Sequence, residues 1–268
     1  MYQIGVVAFQ AYKRERAVNT KFSALAAVAT IAFCLSCNNS STIDEWQPSP
    51  VAPGNIQGSG TPATETRVLP AFEEIVLLAT GDINVTQGAP QSVSVRVDNN
   101  VMPYIETVHS GSQLEIRTRS GVTLANYDLT VNVLMTDVSL LHMAGVGSIV
   151  GQNTLMVDRL DLNLSGVGSM SLVCIAESLF TSHGAVGDLV LSRAADLHSI
   201  ALGGVGNVTA FGLATDLTTV VLVGQGNAEV RVLDSLDVII AGTGSVLYHG
   251  TPIVTSVITG TGAVVDAN

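Results

Sequence analysis

Six carboxylates recur at a constant offset from a glycine pair. Asp137, Asp158, Glu177, Asp196, Asp216 and Asp234 each stand eight residues before the first position of a Gly-x-Gly turn, with Glu177 counted from Ala185. The seventh copy has Pro252 there instead. If the copies stack, the acids form a ladder with rungs ~5 Å apart. Neighbouring charges at that distance repel by roughly 1 kcal/mol in water, so something must relieve them. Each acid could accept a hydrogen bond from its own turn and stay solvated. Alternatively, an oxygen-rich corner could hold Ca²⁺. The calcium nonapeptide pattern Gly-Gly-x-Gly-x-Asp is not met, because the acid is misplaced and the period is about twice as long.

Other reactive side chains are scattered. Arg159, Arg193 and Arg231 fall in three different copies. Asp158 and Asp161 with Arg159 could be proposed as a catalytic group, but a solvated face is the reading preferred for them. His142, His183, His198 and His249 lack ligand spacing such as His-x-x-x-His, so packed histidines are expected. Cys174, inside Leu-Val-Cys-Ile-Ala, reads as a small buried hydrophobe rather than a nucleophile. These residues suggest no catalytic site, no resident metal and no cofactor.

The elements that place these residues are repeats. Gly-x-Gly recurs at 145–147, 166–168, 204–206, 224–226, 242–244 and 260–262, with the degenerate Ala185-Val-Gly187 between the second and third. Spacings between second glycines are 21, 19, 19, 20, 18 and 18 residues. An aliphatic residue stands two before nearly every first glycine, as Leu164, Leu202 and Ile240 do. Another stands two after nearly every second glycine, as Met170, Val208 and Val246 do. The residue directly after the second glycine is small: Ser148, Ser169, Asp188, Asn207, Asn227, Ser245 or Ala263. Upstream, Val93–Val97, Leu114–Thr118 and Leu129–Val133 alternate apolar and polar residues, the period of a half-buried strand. A unit of 18–21 residues without a helix cannot bury its own apolar face, whereas stacked units can. The fold expected is all-β: a single-stranded right-handed parallel β-helix, or β-solenoid, over residues 72–268. The uncharged stretch Val238–Val265 holds two glycine pairs and Pro252, and is read as coils rather than a membrane helix. The last coil has no obvious cap, so either another chain or the short tail is expected to cover it.

The remainder concerns delivery. Lys13, Arg14, Arg16 and Lys21 precede the uncharged run Phe22–Ser36, which is too short for a comfortable membrane span and suits a signal peptide. It ends at Leu-Ser-Cys37, a lipobox-like site that makes Cys37 the expected lipid attachment. A plain secretory signal and an uncleaved anchor are the alternatives. Residues 1–37 are thus assigned to targeting, and the Pro-rich stretch 38–71 to a disordered linker. Without the signal the chain holds seven Arg, no Lys and 21 Asp and Glu, a net −14. That excludes nucleic acid as a partner and disfavours direct contact with anionic lipid, leaving a lipid anchor as the membrane contact.

Phe72-x-x-Ile75, Thr80-Gly-Asp-Ile-Asn-Val85, the reiterated Gly-Val-Gly turns and the closing Tyr248-x-Gly250-x-Pro252 resemble the auto-transporter adhesin, head GIN domain family. The likeness spans about residues 72–265 and departs from the pattern at 184–187. It implies a secreted or surface β-helix, often on an outer-membrane lipoprotein of Gram-negative bacteria, and brings no catalytic residues. The function expected is a non-catalytic envelope lipoprotein that binds a glycan or matrix ligand. A purely structural envelope protein is the alternative, and a polysaccharide-active enzyme a third.

Overall fold

The computed structural model describes residues 54–268. Eighteen strands build it, beginning with β1 (Ile56–Gln57), β2 (Pro62–Arg67), β3 (Glu74–Leu77), β4 (Thr80–Gln87), β5 (Ser92–Asp98) and β6 (Ile105–Ser110). Next come β7 (Gln113–Thr118), β8 (Leu124–Ala125), β9 (Thr130–Met135) and β10 (Leu140–Met143). The long strands β11 (Val146–Leu164), β12 (Val167–His183), β13 (Leu189–Leu202), β14 (Val208–Leu222) and β15 (Ala228–Ile240) follow, then β16 (Val246–His249), β17 (Ile253–Ile258) and β18 (Val264–Asp266). From β10 onward every pairing is parallel and in sequence order, one coil upon the next. The result is a β-solenoid of about seven turns.

Alternation of apolar residues explains each coil, and a slip in that alternation explains its bend. In β12 the buried residues are Met170, Leu172, Cys174 and Ala176, then Leu179, Thr181 and His183. The parity changes at Glu177, where two successive side chains point away from the core. Similar slips occur at Asp196 in β13 and Asp216 in β14. Each buried Leu or Val contributes about 1.5–3 kcal/mol by leaving water. The stacked interiors merge into one apolar column from Phe72 to Val246.

The second bend is the glycine turn. Its backbone closes with a repeated pattern in which two successive N–H groups donate to one carbonyl of the preceding coil. Ser165 and Gly166 donate to Met143 O at 2.9 and 3.1 Å, and Val223 and Gly224 to Leu202 O at 2.9 and 3.1 Å. Gly206 has φ +149°, and a Cβ there would strike the carbonyl oxygen of Gly187 one coil away. Only glycine meets both demands.

The entry to the solenoid differs from the repeat-based expectation. Residues 113–135 form the first coil in space, because β7 pairs with β3 and β9 with β4 although both follow them in sequence. Antiparallel strands finish this end: β6 pairs with β7, β5 with β9, and β2 with β5. The linker expected through residue 71 therefore stops sooner, since β1 and β2 are already paired. Pro62 and the exposed Thr and Glu of β2 disguise it as a linker, yet suit an edge strand, which needs only one bonded side. The targeting segment and residues 38–53 lie outside the described residues.

Candidate binding surface of the solenoid

The acids sit where the sequence spacing placed them. Asp158, Glu177, Asp196 and Asp216 occupy equivalent bends, each between residues that pair with the next coil. Asp234 follows across a register shift. Asp137, Asp158, Glu177, Asp196 and Asp234 are exposed, and Asp216 is half-buried. Glu177, Asp196 and Asp216 each have a partner group. Among the described residues, no three His, Cys, Asp or Glu side chains converge where a metal ion could be held.

The glycine corner presents a different ladder. The central residues Val146, Val167, Val186 and Val205 stack coil upon coil, and each is about half exposed. Gln225, Thr243 and Thr261 occupy the same turn position in later coils. Beside the later turns runs a groove of about 490 Å³, lined by Gly204, Val205, Val223, Gln225, Thr243 and Thr261 among others. A lipophilic ridge thus passes into a hydroxyl- and amide-bearing groove along one edge of the rod.

Next to that ridge lies a polar relay that the sequence reading registered only as small residues. Asn207 N donates to Asp188 Oδ1 at 2.9 Å, Asn227 N to Asn207 Oδ1 at 3.0 Å, and Ser245 N to Asn227 Oδ1 at 2.9 Å. Nearer the start, Ser148 Oγ donates to Asp82 Oδ1 at 2.6 Å, so Gly81-Asp82 is one further copy of the turn. The signal was present as a run of Asp, Asn and Ser at one repeat position. Their shared preference for bonding nearby backbone links them.

The irregular coil is braced from inside. His183 takes the place that Leu164 and Leu202 hold in adjoining coils, and it is fully buried. Its Nε2 lies 2.7 Å from Gly187 O, which makes Nε2 the donor and leaves Nδ1 without a partner. His198 is also interior, with Nε2 3.0 Å from Thr181 Oγ1 and Nδ1 unpartnered. Burial lowers its pKa to about 3, so it is neutral at ordinary pH. His142 is half-buried against Ser165 Oγ at 2.8 Å, and desolvation lowers its pKa as well. His249 is 2.8 Å from Ala267 O and stacks on Phe211 at 4.0 Å. The four histidines serve packing at separate places.

Arg159 forms a two-pronged contact with Asp161 at 3.0 and 3.1 Å and lies over the Phe180 ring at 4.2 Å. This holds it flat on the outer face, paired with Ser178 in the next coil, while Arg193 pairs with Leu213 and Arg231 with Ala214. The three arginines do not gather. Cys174 is buried with its pKa raised to about 11 by desolvation, so it is a thiol, not a thiolate. Cys37 lies outside the described residues.

A second groove, of about 550 Å³, opens between β2 and β6 and was not anticipated. Arg67, Arg119, Glu65 and Glu106 line it over Met102 and Ile105. Glu106 accepts from Arg117 and Arg119 at 3.1 and 3.2 Å, and those bonds hold its carboxyl below the usual range. Three of the seven arginines that follow Cys37, Arg67, Arg117 and Arg119, thus cluster at this end, paired with Glu65, Glu106 and Glu115, while the coils remain acidic.

No match is found among curated proteins. Several solved structures share the architecture. A "putative adhesin" from Bacteroides fragilis superposes with a TM-score of 0.76 at 23% identity, covering 78% of this chain and 98% of that one. A "putative adhesin" from Parabacteroides distasonis gives 0.60 at 23%, with 78% and 98% covered. A "putative lipid binding protein" from the same organism gives 0.63 at 22%, with 80% and 100% covered. At such identities these likenesses speak for fold. The family described as "Putative auto-transporter adhesin, head GIN domain" matches residues 71–252, and the chain belongs to that family.

Proposed function

We propose that this protein is a non-catalytic envelope lipoprotein, anchored to the outer membrane through Cys37, whose solenoid binds a glycan or matrix polymer along the glycine corner. The observation that carries this reading is the continuous ridge Val146, Val167, Val186 and Val205 leading into the groove beside Gln225, Thr243 and Thr261. Repeating contacts in line, one per coil, suit a ligand that itself repeats. Exposed valines in a row are unfavourable on a surface that meets only water, which supports a contact role. The family's adhesin label points the same way. Arg159 is tied to Asp161 and lies over Phe180, while Arg193 and Arg231 stand on other coils, so the three arginines assemble no group of the kind that polysaccharide elimination uses. A lipid at Cys37 would hold to the membrane a body whose net charge of −14 is repelled by anionic headgroups.

The test is a glycan and matrix-protein array probed with the purified protein, with and without chelator, followed by analysis of bound sugars. Binding that is lost in Val186→Glu, without cleavage of the ligand, is the expected result. Loss in chelator would instead assign the contact to a cation on the acidic ladder. Cleavage would make the protein an enzyme, and a blank array would leave a structural role in the envelope.

A further inference from the structure

The two ends of the solenoid are finished differently. At the first, β2 and β6 are edge strands bearing Pro62, Glu65, Arg67, Glu106 and His109, residues that discourage further pairing. At the last, β17 pairs only with β15, and β18 only with β16, among the described residues. The β17 sequence Ile-Val-Thr-Ser-Val-Ile has neither charge nor proline, and all six side chains are exposed. Ile253 is 76% exposed, Val257 56%, Ile258 44% and Val265 41%. The tail covers part of this end: Asn268 Nδ2 donates to Gly250 O at 2.8 Å. It leaves the free edge of β17 bare.

We infer that a second copy of this chain covers this end. The end is a step, because the side carrying β16 is longer by one strand, β18, than the side carrying β17. A two-fold axis through the Gly260–Gly262 corner, perpendicular to the solenoid, exchanges the two sides. That rotation reverses the direction of winding while keeping core faces inward. So β17 of each copy meets β18 of the other antiparallel, and each step fills its counterpart. Counting away from the turn gives the register. Ile258 opposes Val264 of the second copy, Val257 opposes Val265, and Ser256 opposes Asp266. Faces agree in every pair. Ile258 and Ser256 align with the buried Ile240 and Val238, and Val264 with the buried Val246, so these point to the core. Val257 and Val265 both point outward, and their exposed side chains meet. Ser256 can donate its hydroxyl to the Asp266 carboxylate.

Charge favours the same occupant. A chain at −14 repels its own copy over most of its surface. From Val238 to Val265 there is no Lys, Arg, Asp or Glu, so this end permits two copies to approach. The pairing closes on itself, giving a dimer rather than a fibre. The inference needs no ligand and stands apart from the binding proposal.

Sedimentation equilibrium of the purified protein tests it, with twice the chain mass expected. Ile258→Glu, which turns a carboxylate into the joined core opposite Val264 and on the same face as Asp266 of the second copy, is expected to give the single-chain mass with unchanged far-UV circular dichroism. Cysteine pairing tests the register independently of that variant. Chains with Val257→Cys mixed with chains with Val265→Cys should form an oxidised cross-link, whereas neither variant should do so alone. A single-chain mass at every concentration overturns the inference. So does a dimer that survives Ile258→Glu and yields no cross-link in the mixture.

Discussion

His183 donates its Nε2 proton to the carbonyl of Gly187, 2.7 Å away and four residues on, across a turn that has lost its first glycine. In the regular copies the central residue of the turn bonds the coil before it at 2.8–3.2 Å, as Val205 does to Ala185 O at 2.8 Å and Val146 to Ala79 O at 3.2 Å. Where Ala185 supplies a Cβ, the corresponding Val186 to Gly166 bond is stretched to 3.5 Å. The methyl group holds the coils apart, and the histidine closes the turn from inside. His183→Ala should destabilise the fold by about 2–4 kcal/mol through a cavity and a lost bond. His183→Leu, which restores the residue of adjoining coils, should cost only about 1 kcal/mol. Urea midpoints compare the two, and equal losses would contradict the packing share of the argument.

A methyl group at a regular corner should be worse than the one at Ala185. Gly206→Ala combines a φ of +149° with a collision against the carbonyl of Gly187. Each effect costs about 1–3 kcal/mol, so a loss of about 2–6 kcal/mol is expected by chemical denaturation. Little change would mean the corner can relax and that stacking there is loose.

The Asp188, Asn207, Asn227 and Ser245 relay is exposed but satisfies one backbone N–H in each coil. Asn227→Ala should lower stability by about 1 kcal/mol, and Asn227→Asp by less, because the accepting oxygen remains. Amide exchange at Ser245 should quicken in the alanine variant. Unchanged exchange there would show that the relay does not protect the turn.

His198 makes stability depend on pH in a defined direction. Its folded pKa is about 3, whereas a free imidazole titrates near 6.5, so between these values the unfolded chain binds the extra proton. The stabilisation is complete above about pH 6.5 and falls by about 1.4 kcal/mol per unit as pH drops toward 3. His142, also lowered by burial, acts in the same sense. Melting temperatures between pH 7 and 4 should fall more steeply for the native protein than for His198→Leu. Parallel profiles would remove His198 as the source.

Cys174 should resist alkylation by iodoacetamide in the folded protein, since its thiol is buried and its pKa is raised to about 11. Peptide mapping should find it modified only after denaturant is added. Labelling at neutral pH without denaturant would show that β12 opens locally.

The repeat was legible in the sequence because its demands are local. A glycine is needed wherever a positive φ meets a neighbouring backbone, as at Gly168 and Gly206, so corners mark themselves at fixed spacing. The acids Asp158, Glu177 and Asp196 mark the other bend, where two successive side chains must face water. Corners and bends together dictate a solenoid with a carboxylate edge. The entry coil could not be read this way. That β7 and β9 slide beneath β3 and β4, and that β2 closes the end antiparallel, depends on partners up to dozens of residues away. A short polar strand such as Pro62–Arg67 carries no mark of whom it pairs with. The role of His183 was hidden for a related reason: its partner carbonyl reaches the ring only once Ala185 has displaced the turn. Sequence alone determined the coil, its two corners and the residues on each. The tertiary structure alone decided how the rod is closed at one end and left stepped at the other.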